Sequence, residues 1–163
     1  MKKATLCLLL RDNELCLAMK KRGFGVNKYN GFGGKVGDKE EFKNESIEEA
    51  LMREGQEEFG ITIQGFERRA EMLFTFPSKP EWDQVVYIFI CRKWKGDPQE
   101  SEEMKPEWFK LDKIPYEKMW DDDKYWLPRI LKGEVITAEF QFSDNGKVMH
   151  HEIRSVGRKI ERK

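Results

Sequence analysis

Three glutamates lie close together in residues 52–61, which read MREGQEEFGI. If this segment is helical, Glu54 and Glu58 are one turn apart and Glu57 lies beside them, because positions three and four apart share a helix face. Like charges at that spacing destabilise a helix slightly when no cation separates them. Arg53 is spaced to pair with Glu57 but cannot neutralise all three carboxylates. Hard oxygen ligands grouped in this way suit Mg²⁺ or Mn²⁺, so the segment predicts a metal site.

A glycine-rich segment, NGFGGKV at residues 30–36, precedes these acids. Its bare backbone could approach phosphate or offer a carbonyl oxygen to a metal ion. Alone it is weak evidence, and many acidic helix faces are simply solvated. Taken together with Glu45, however, the two segments resemble the Nudix box, in which Gly, Glu, an Arg-Glu pair and a Glu-Glu pair recur at fixed spacing.

The box departs from the family pattern at two places. Ten residues separate Gly34 from Glu45 where the pattern has five, which predicts a charged, solvent-exposed loop insertion at residues 37–44. Position 55, normally apolar, is Gly, which destabilises a helix interior by about 0.5 to 1 kcal/mol relative to Ala. Either the helix is weakened there, or another part of the backbone packs closely against it.

Composition limits the classes of protein that fit. A chain of 163 residues suits one domain, and 30 basic against 30 acidic residues leave no net field to bind a nucleic-acid polymer. Cys7, Cys16 and Cys91 are odd in number and lie in apolar runs, so we expect reduced core thiols. The apolar start is too short for a signal peptide or membrane span. We therefore expect a cytoplasmic monomer that binds a small phosphorylated ligand.

Periodicity predicts a mixed set of strands and helices. An initial hairpin, a long functional loop over residues 20–36 and a helix that Ser46 begins and Gly60 ends form the first half. Later strands include an apolar run expected to be central in its sheet, and Asn145-Gly146 marks a hairpin turn. The predicted elements are listed in order: strands 4–10, 15–19, 70–76, 85–92 and 108–111, a helical passage from 114, a helix over 125–131, and strands 136–142 and 148–154.

These elements predict an α+β fold with a mixed central sheet between helices. The family resemblance implies a Nudix-type α/β/α sandwich formed by one domain over residues 1–155. Residues 156–163 end in a basic run, which predicts a frayed, solvated tail rather than a nucleic-acid or membrane contact.

Four segments, one of them the glycine-rich segment above, resemble the oxidised purine nucleoside triphosphatase branch of the family, relatives of MutT. They are MKKRGFG (19–25), NGFGGKV (30–36), ESEEMKP with the following Trp108-Phe109 (100–109) and MWDDDKYW (119–126). The resemblance covers roughly residues 4–154. It implies Mg²⁺-dependent hydrolysis of 8-oxo-dGTP, and of 2-hydroxy-dATP as a second substrate, to monophosphate and pyrophosphate. Such an enzyme sanitises the nucleotide pool and so avoids DNA damage.

The resemblance also assigns roles to individual residues. The metal ligands it implies are Gly33, Glu54, Glu57, Glu58 and Glu103. Glu57 or Glu58 would orient or deprotonate the attacking water, and Arg53 would hold the glutamates in place. The base and sugar would be bound by Lys20, Phe24, Asn30, Phe74, Phe76, Trp120, Asp122 and Asp123. Two neighbouring carboxylates in a dry pocket repel, so one of the aspartates is expected to keep a proton and act as a donor.

Each role has a structural alternative. Phe74 and Phe76 could be core residues, Lys20 a solvated strand end, Trp120 a helix anchor and the aspartates an acidic helix cap. At the level of function, the alternatives are a Nudix hydrolase of broader specificity and a non-catalytic nucleotide-binding module. Relatives also have an apolar residue and a shorter turn where this chain has residues 80–84, so the base preference is open.

Overall fold

The computed structural model describes residues 1–158. Its strands are β1 (Lys2–Arg11), β2 (Glu14–Lys20), β3 (Tyr29–Asn30), β4 (Phe32–Lys35), β5 (Thr62–Thr75), β6 (Gln84–Lys95), β7 (Met104–Lys110), β8 (Glu134–Phe142) and β9 (Val148–Arg158), and its α-helices are α1 (Ile47–Glu54) and α2 (Asp123–Leu131). The sheet order is β3-β2-β1-β6-β5-β8-β9, with β4 paired to β1 and β7 to β2. Strand β6 is therefore central, as its apolar run predicted.

The sheet is mixed, as predicted. The pairs β1–β6 and β5–β8 are parallel and the others are antiparallel. Strand β1 pairs with β4 through residues 4–7 and with β2 through residues 9–11, so the sheet forks along one edge of β1. The fork separates β4, which leads to α1, from β2 and its antiparallel partner β7.

Side-chain alternation along the strands builds one core on each face of the sheet. Leu8 and Ile88 pack with Trp126 of α2 on one face. Leu9 and Phe89, each one position further along its strand, pack with Leu51 of α1 on the other. Two buried faces covered by helices confirm the α/β/α sandwich.

Helix α1 begins as predicted. The Ser46 hydroxyl accepts a hydrogen bond from Glu49 N at 3.1 Å, and Ser46 N donates to the Glu49 carboxylate at 2.8 Å, which completes a capping box. The α-helix stops at Glu54, however, and residues Gly55–Phe59 form a π-helical turn closed by Gly60 at φ +67°. The expectation of regular α-helical spacing through Glu58 was therefore wrong, although Gly60 does end the helix.

Gly55 lies where the helix meets the start of β5. A Cβ atom at this position would lie 3.2 Å from Cδ1 of Ile63 and 3.5 Å from the Ile61 carbonyl oxygen. The close neighbour is the Ile63 side chain, and the α-helix also changes to the π-helical turn at this residue, so the structure shows features of both explanations.

The long loop predicted over residues 20–36 was wrong in its second half, which contains β3 and β4. Glycine in a sequence suggests a turn, but Gly33 pairs with Leu6 of β1, and a Cβ on Gly33 would overlap the Thr5 carbonyl. The glycines therefore serve a close approach of two strands. The insertion at residues 37–44 forms a short 3₁₀ turn, Glu40–Phe42, and leaves α1 intact.

Several smaller features complete the fold. Cys7, Cys16 and Cys91 are buried and free, as predicted. Strand β9 runs to Arg158, so residues 156–158 of the expected tail continue a strand, and residues 159–163 lie outside the described part of the chain. No helix within residues 1–158 is long and apolar enough to cross a membrane.

Candidate active site

A cavity of about 240 Å³ opens on the α2 side of the sheet, walled by β1, β5 and β6 and by the loop after β2. It brings together all the residues predicted to bind base and sugar: Lys20, Phe24, Asn30, Phe74, Phe76, Trp120, Asp122 and Asp123. Of the predicted metal ligands, Gly33 and Glu58 also line it. Residues spread over a hundred positions of sequence thus share one pocket.

Arg53 organises the acidic helix beside this cavity. Its guanidinium donates to both carboxylate oxygens of Glu45, at 2.7 and 3.0 Å, and to Glu54 at 3.0 Å and Glu57 at 3.1 Å. The same group donates to the Lys35 carbonyl at 3.2 Å and lies 4.4 Å from the ring centroid of Phe42, which comes from the insertion. Arg53 therefore contacts three glutamates at once, and Glu45 and Phe42 are its partners on the insertion side of the helix.

Glu54 is buried against the glycine-rich strand β4. A Cβ atom on Gly34 would collide with the Glu54 carboxylate, so only glycine leaves room for it. Burial raises the pKa of Glu54, and the charge of Arg53 partly offsets that rise.

Glu58 has the least neutralised carboxylate of the helix. Its Oε2 atom is buried and has no hydrogen-bond partner within residues 1–158. Burial, reinforced by the negative charge of Glu54, raises the pKa of Glu58 to about 7, while Lys20 acts in the opposite direction. A buried carboxylate without a donor is a group that a cation would stabilise.

Glu103 is placed differently from the other predicted ligands. It pairs with Arg22 at 2.7 Å and with Lys20 at 3.5 Å, and the hydrogen bond from Arg22 lowers the pKa of its carboxyl group. Within the part of the chain that is described, no three His, Cys, Asp or Glu side chains converge as a finished metal cage. The metal-ligand assignments therefore stay predictions.

The donor set nevertheless fits a hard divalent cation. It offers carboxylate oxygens, an unpartnered Glu58 Oε2 and a glycine cradle around Glu54. Glu54 and Glu58 would be the central ligands because they are the more buried carboxylates, whereas Glu57 is half exposed.

Asp122 and Asp123 occupy the opposite part of the cavity and are almost fully buried. The indole N–H of Trp126 donates to Asp122 at 2.7 Å. Burial raises the pKa of Asp123 well above its usual range, and the neighbouring Asp122 raises it further. Burial also raises the pKa of Asp122, but the Trp126 hydrogen bond favours its ionised form. The raised pKa of Asp123 favours its protonated form, and its Oδ2 lacks a hydrogen-bond partner among the described residues.

Aromatic rings form the sides and the mouth of the cavity. The Trp120 ring lies 5.0 Å from that of Phe24, and Lys28 Nζ lies 5.3 Å above it. Phe76 stacks on Phe142 at 5.1 Å, so Phe76 belongs both to the core and to the pocket wall. The same is true of Phe74.

Two predicted residues carry polar groups at the edge of this wall. The Asn30 side-chain oxygen accepts from Gly31 N at 2.9 Å, which fixes the orientation of its amide. Lys20 is partly exposed, with its ammonium group beside Glu103.

Several residues that line the cavity were not among the predicted site residues, and they include Lys28, Trp126 and Phe142. Gln84 also lines it and ends the segment 80–84, whose difference from relatives left the base preference open. Trp126 could have been found, because it lies on the predicted helix 125–131, four positions after Asp122. Phe142 could have been found from the alternation of strand β8. No local pattern marks Lys28, whose place depends on the loop conformation.

Comparison with known proteins agrees with this geometry. The model of the Nudix domain matches residues 1–130. The chain is 40% identical over 152 residues to a mouse protein, covering 93% of this chain and 94% of that one. A zebrafish protein is 39% identical over the same coverage. A crystal structure of the mutator MutT protein from Bacillus halodurans has a TM-score of 0.81 at 22% identity, covering 94% of this chain and 97% of that one.

The chain therefore belongs to the Nudix family. The mouse and zebrafish relatives are both named oxidized purine nucleoside triphosphate hydrolase. Nudix hydrolases generally use divalent cations, which agrees with the oxygen-rich donor set around Glu58.

Proposed function

We propose that this protein hydrolyses oxidised purine nucleoside triphosphates, 8-oxo-dGTP first and 2-hydroxy-dATP second, to the monophosphate and pyrophosphate. The observation that carries the proposal is the single cavity, which joins the buried Asp122–Asp123 pair to Glu58 and Gly33. A purine held at the aspartates has its phosphate chain directed towards the glutamates. The names of the mouse and zebrafish relatives support the same substrate class.

Base recognition is assigned to the aspartate pair and its neighbours. The protonated Asp123 donates to an acceptor on the purine, and the ionised Asp122 accepts from a donor. Trp120 stacks on the base, and Asn30 hydrogen-bonds its edge. A purine that leaves one of these buried groups unpaired is rejected, because an unmet buried hydrogen bond costs about 1 to 3 kcal/mol.

Hydrolysis is assigned to the glutamates of α1 and the π-helical turn. Glu54 and Glu58, with Glu57, Glu103 and the Gly33 carbonyl, would hold Mg²⁺, which would supply positive charge to offset the charge of the phosphate oxygens. The oxygen of water bonds to the second phosphorus, and the bond from that phosphorus to the oxygen of the monophosphate breaks. Glu58 or Glu57 takes the proton that the water loses. Arg53 contacts the glutamates rather than the substrate.

The test is a comparison of 8-oxo-dGTP, 2-hydroxy-dATP, dGTP, dATP and a dinucleoside polyphosphate, each with Mg²⁺ and with EDTA. We expect Mg²⁺-dependent release of pyrophosphate, with the highest kcat/KM on an oxidised purine. Equal rates on all five compounds would favour a Nudix hydrolase of broader specificity. Binding of nucleotides without any hydrolysis would show a non-catalytic module.

A further inference from the structure

Gln84 places a carboxamide in an otherwise apolar wall of the cavity. It is the first residue of β6 and lines the cavity with Val86 and Ile88, the next two residues on the same face of that strand. The neighbouring strand contributes Met72 and Phe74 to the same wall. A primary amide carries one acceptor oxygen and two donor hydrogens, so it is the polar group of this surface.

The turn before β6 fixes the position of this side chain. The Asp83 carboxylate accepts from Phe76 N at 2.8 Å, which closes the turn between β5 and β6. Trp82 N donates to the Lys79 carbonyl at 2.9 Å within the same turn. Gln84 then pairs with Phe74 across the two strands. The backbone that carries the carboxamide is thus held by the turn and the strand pairing and does not belong to a free loop.

None of the hydrogen bonds among residues 1–158 occupies the Gln84 carboxamide. The residue is half-buried on the cavity wall, which leaves the amide within reach of water while no base is bound. A base that enters the cavity displaces this water. The amide is then left unpaired unless the base presents a polar group to it, and that difference is the basis of selectivity.

We propose that Gln84 is a specificity-determining residue whose amide donates a hydrogen bond to the oxygen atom that oxidation adds to a purine. This inference rests on the proposed function. An unmodified purine has a C–H group where the oxidised base carries that oxygen, so it removes water from Gln84 without replacing the hydrogen bond. Gln84 therefore favours the oxidised base over its unmodified parent.

The test compares two ratios of kcat/KM, 8-oxo-dGTP over dGTP and 2-hydroxy-dATP over dATP, in the wild type and in Gln84→Met. Methionine keeps the length of the side chain and removes its amide. We expect at least one ratio to fall by roughly tenfold, the size of one lost hydrogen bond of about 1.4 kcal/mol. Gln84→Glu, which removes the donors and keeps an acceptor, should lower the same ratio.

Gln141→Met is the matched control. Gln141 is also a half-buried strand residue, but it lies beside Phe142 and does not line the cavity. The substitution Gln141→Met should leave both kcat/KM ratios within twofold of the wild type. Thermal unfolding of all variants should confirm that they fold.

The outcomes separate this inference from the function on which it rests. If the wild type hydrolyses none of the four nucleotides, the proposed function is wrong and Gln84 has no such role. If the wild type prefers oxidised purines and Gln84→Met keeps both ratios, the function stands and the role of Gln84 is refuted. An equal loss on all nucleotides, or ratios preserved in Gln84→Glu, would also overturn it.

Discussion

Two groups of carboxylates share one cavity and are neutralised by different means. Glu45, Glu54 and Glu57 gather around the guanidinium of Arg53, and of these three only Glu57 is half exposed. The aspartates are buried, and Asp122 accepts a hydrogen bond from the indole of Trp126. Burial and the neighbouring Asp122 raise the pKa of Asp123. The comparison shows that the partner within reach decides whether a buried carboxylate is stabilised by a cation or by a proton.

The sharpest test of the glutamate end is Glu58→Gln. The amide keeps the shape of the side chain but loses the charge that would hold a cation, so we expect kcat to fall on the order of 10²-fold or more. The control is Glu41→Gln, which alters an exposed carboxylate in the insertion and should leave kcat unchanged. If the variant hydrolyses 8-oxo-dGTP at nearly the wild-type rate, the assignment of Glu58 as a metal ligand is wrong.

The substitution Asp122→Asn tests the aspartates that are proposed to bind the base. Because Asp122 is assigned to the base and not to phosphate, we expect KM for oxidised purines to rise by about tenfold and the ranking of bases to change. The Trp126 indole keeps an acceptor in the asparagine oxygen, so the fold should persist. If kcat/KM falls equally for every nucleotide, the assignment of the aspartates to the base and of the glutamates to the phosphates is wrong.

The pH dependence of kcat/KM tests the role of Glu58 without any substitution. The pKa of Glu58 is raised to about 7, so protons compete with a cation there and kcat/KM should fall by about tenfold per pH unit below that value. Raising the Mg²⁺ concentration should shift this fall in kcat/KM to lower pH. If the fall in kcat/KM at acidic pH does not shift with the Mg²⁺ concentration, the titrating group is not a metal ligand.

The smallest expected effect is on stability, from Asp123→Asn. The folded-state pKa of Asp123 is raised, so its contribution to stability is complete below the unfolded value near 4 and is lost as pH rises through the folded value. Replacement by a neutral amide should therefore raise the free energy of unfolding at pH 8 by about 1 kcal/mol, while activity falls. Urea unfolding at pH 5 and pH 8 measures this, with Asp38→Asn on the surface as the control. Destabilisation at pH 8 would mean that Asp123 is ionised and paired.

The sequence predicted most of what local patterns encode. A continuous apolar run identified the central strand, and capping residues located the start of α1. The glycines of β4 suggested a turn because their requirement comes from β1, which is distant in sequence. The π-helical turn was missed because an acidic helix of regular period looks identical in sequence. The segment 80–84 stood out by its difference from relatives, but only the structure places Gln84 on the cavity wall. Lys28 enters the pocket through the loop that holds it, so tertiary structure alone reveals it.

The aromatic mouth of the cavity also supplies an optical signal. Trp82 and Phe24 lie 5.6 Å apart at the rim, Trp120 lies within, and both Trp82 and Phe24 are largely exposed. Trp94 and Trp108 stack on each other among the residues of the opposite core. Arrival of a purine changes the surroundings of Trp120 and Trp82 while leaving that distant pair as a constant background. Intrinsic fluorescence can therefore report occupancy in real time, with no label attached to protein or nucleotide.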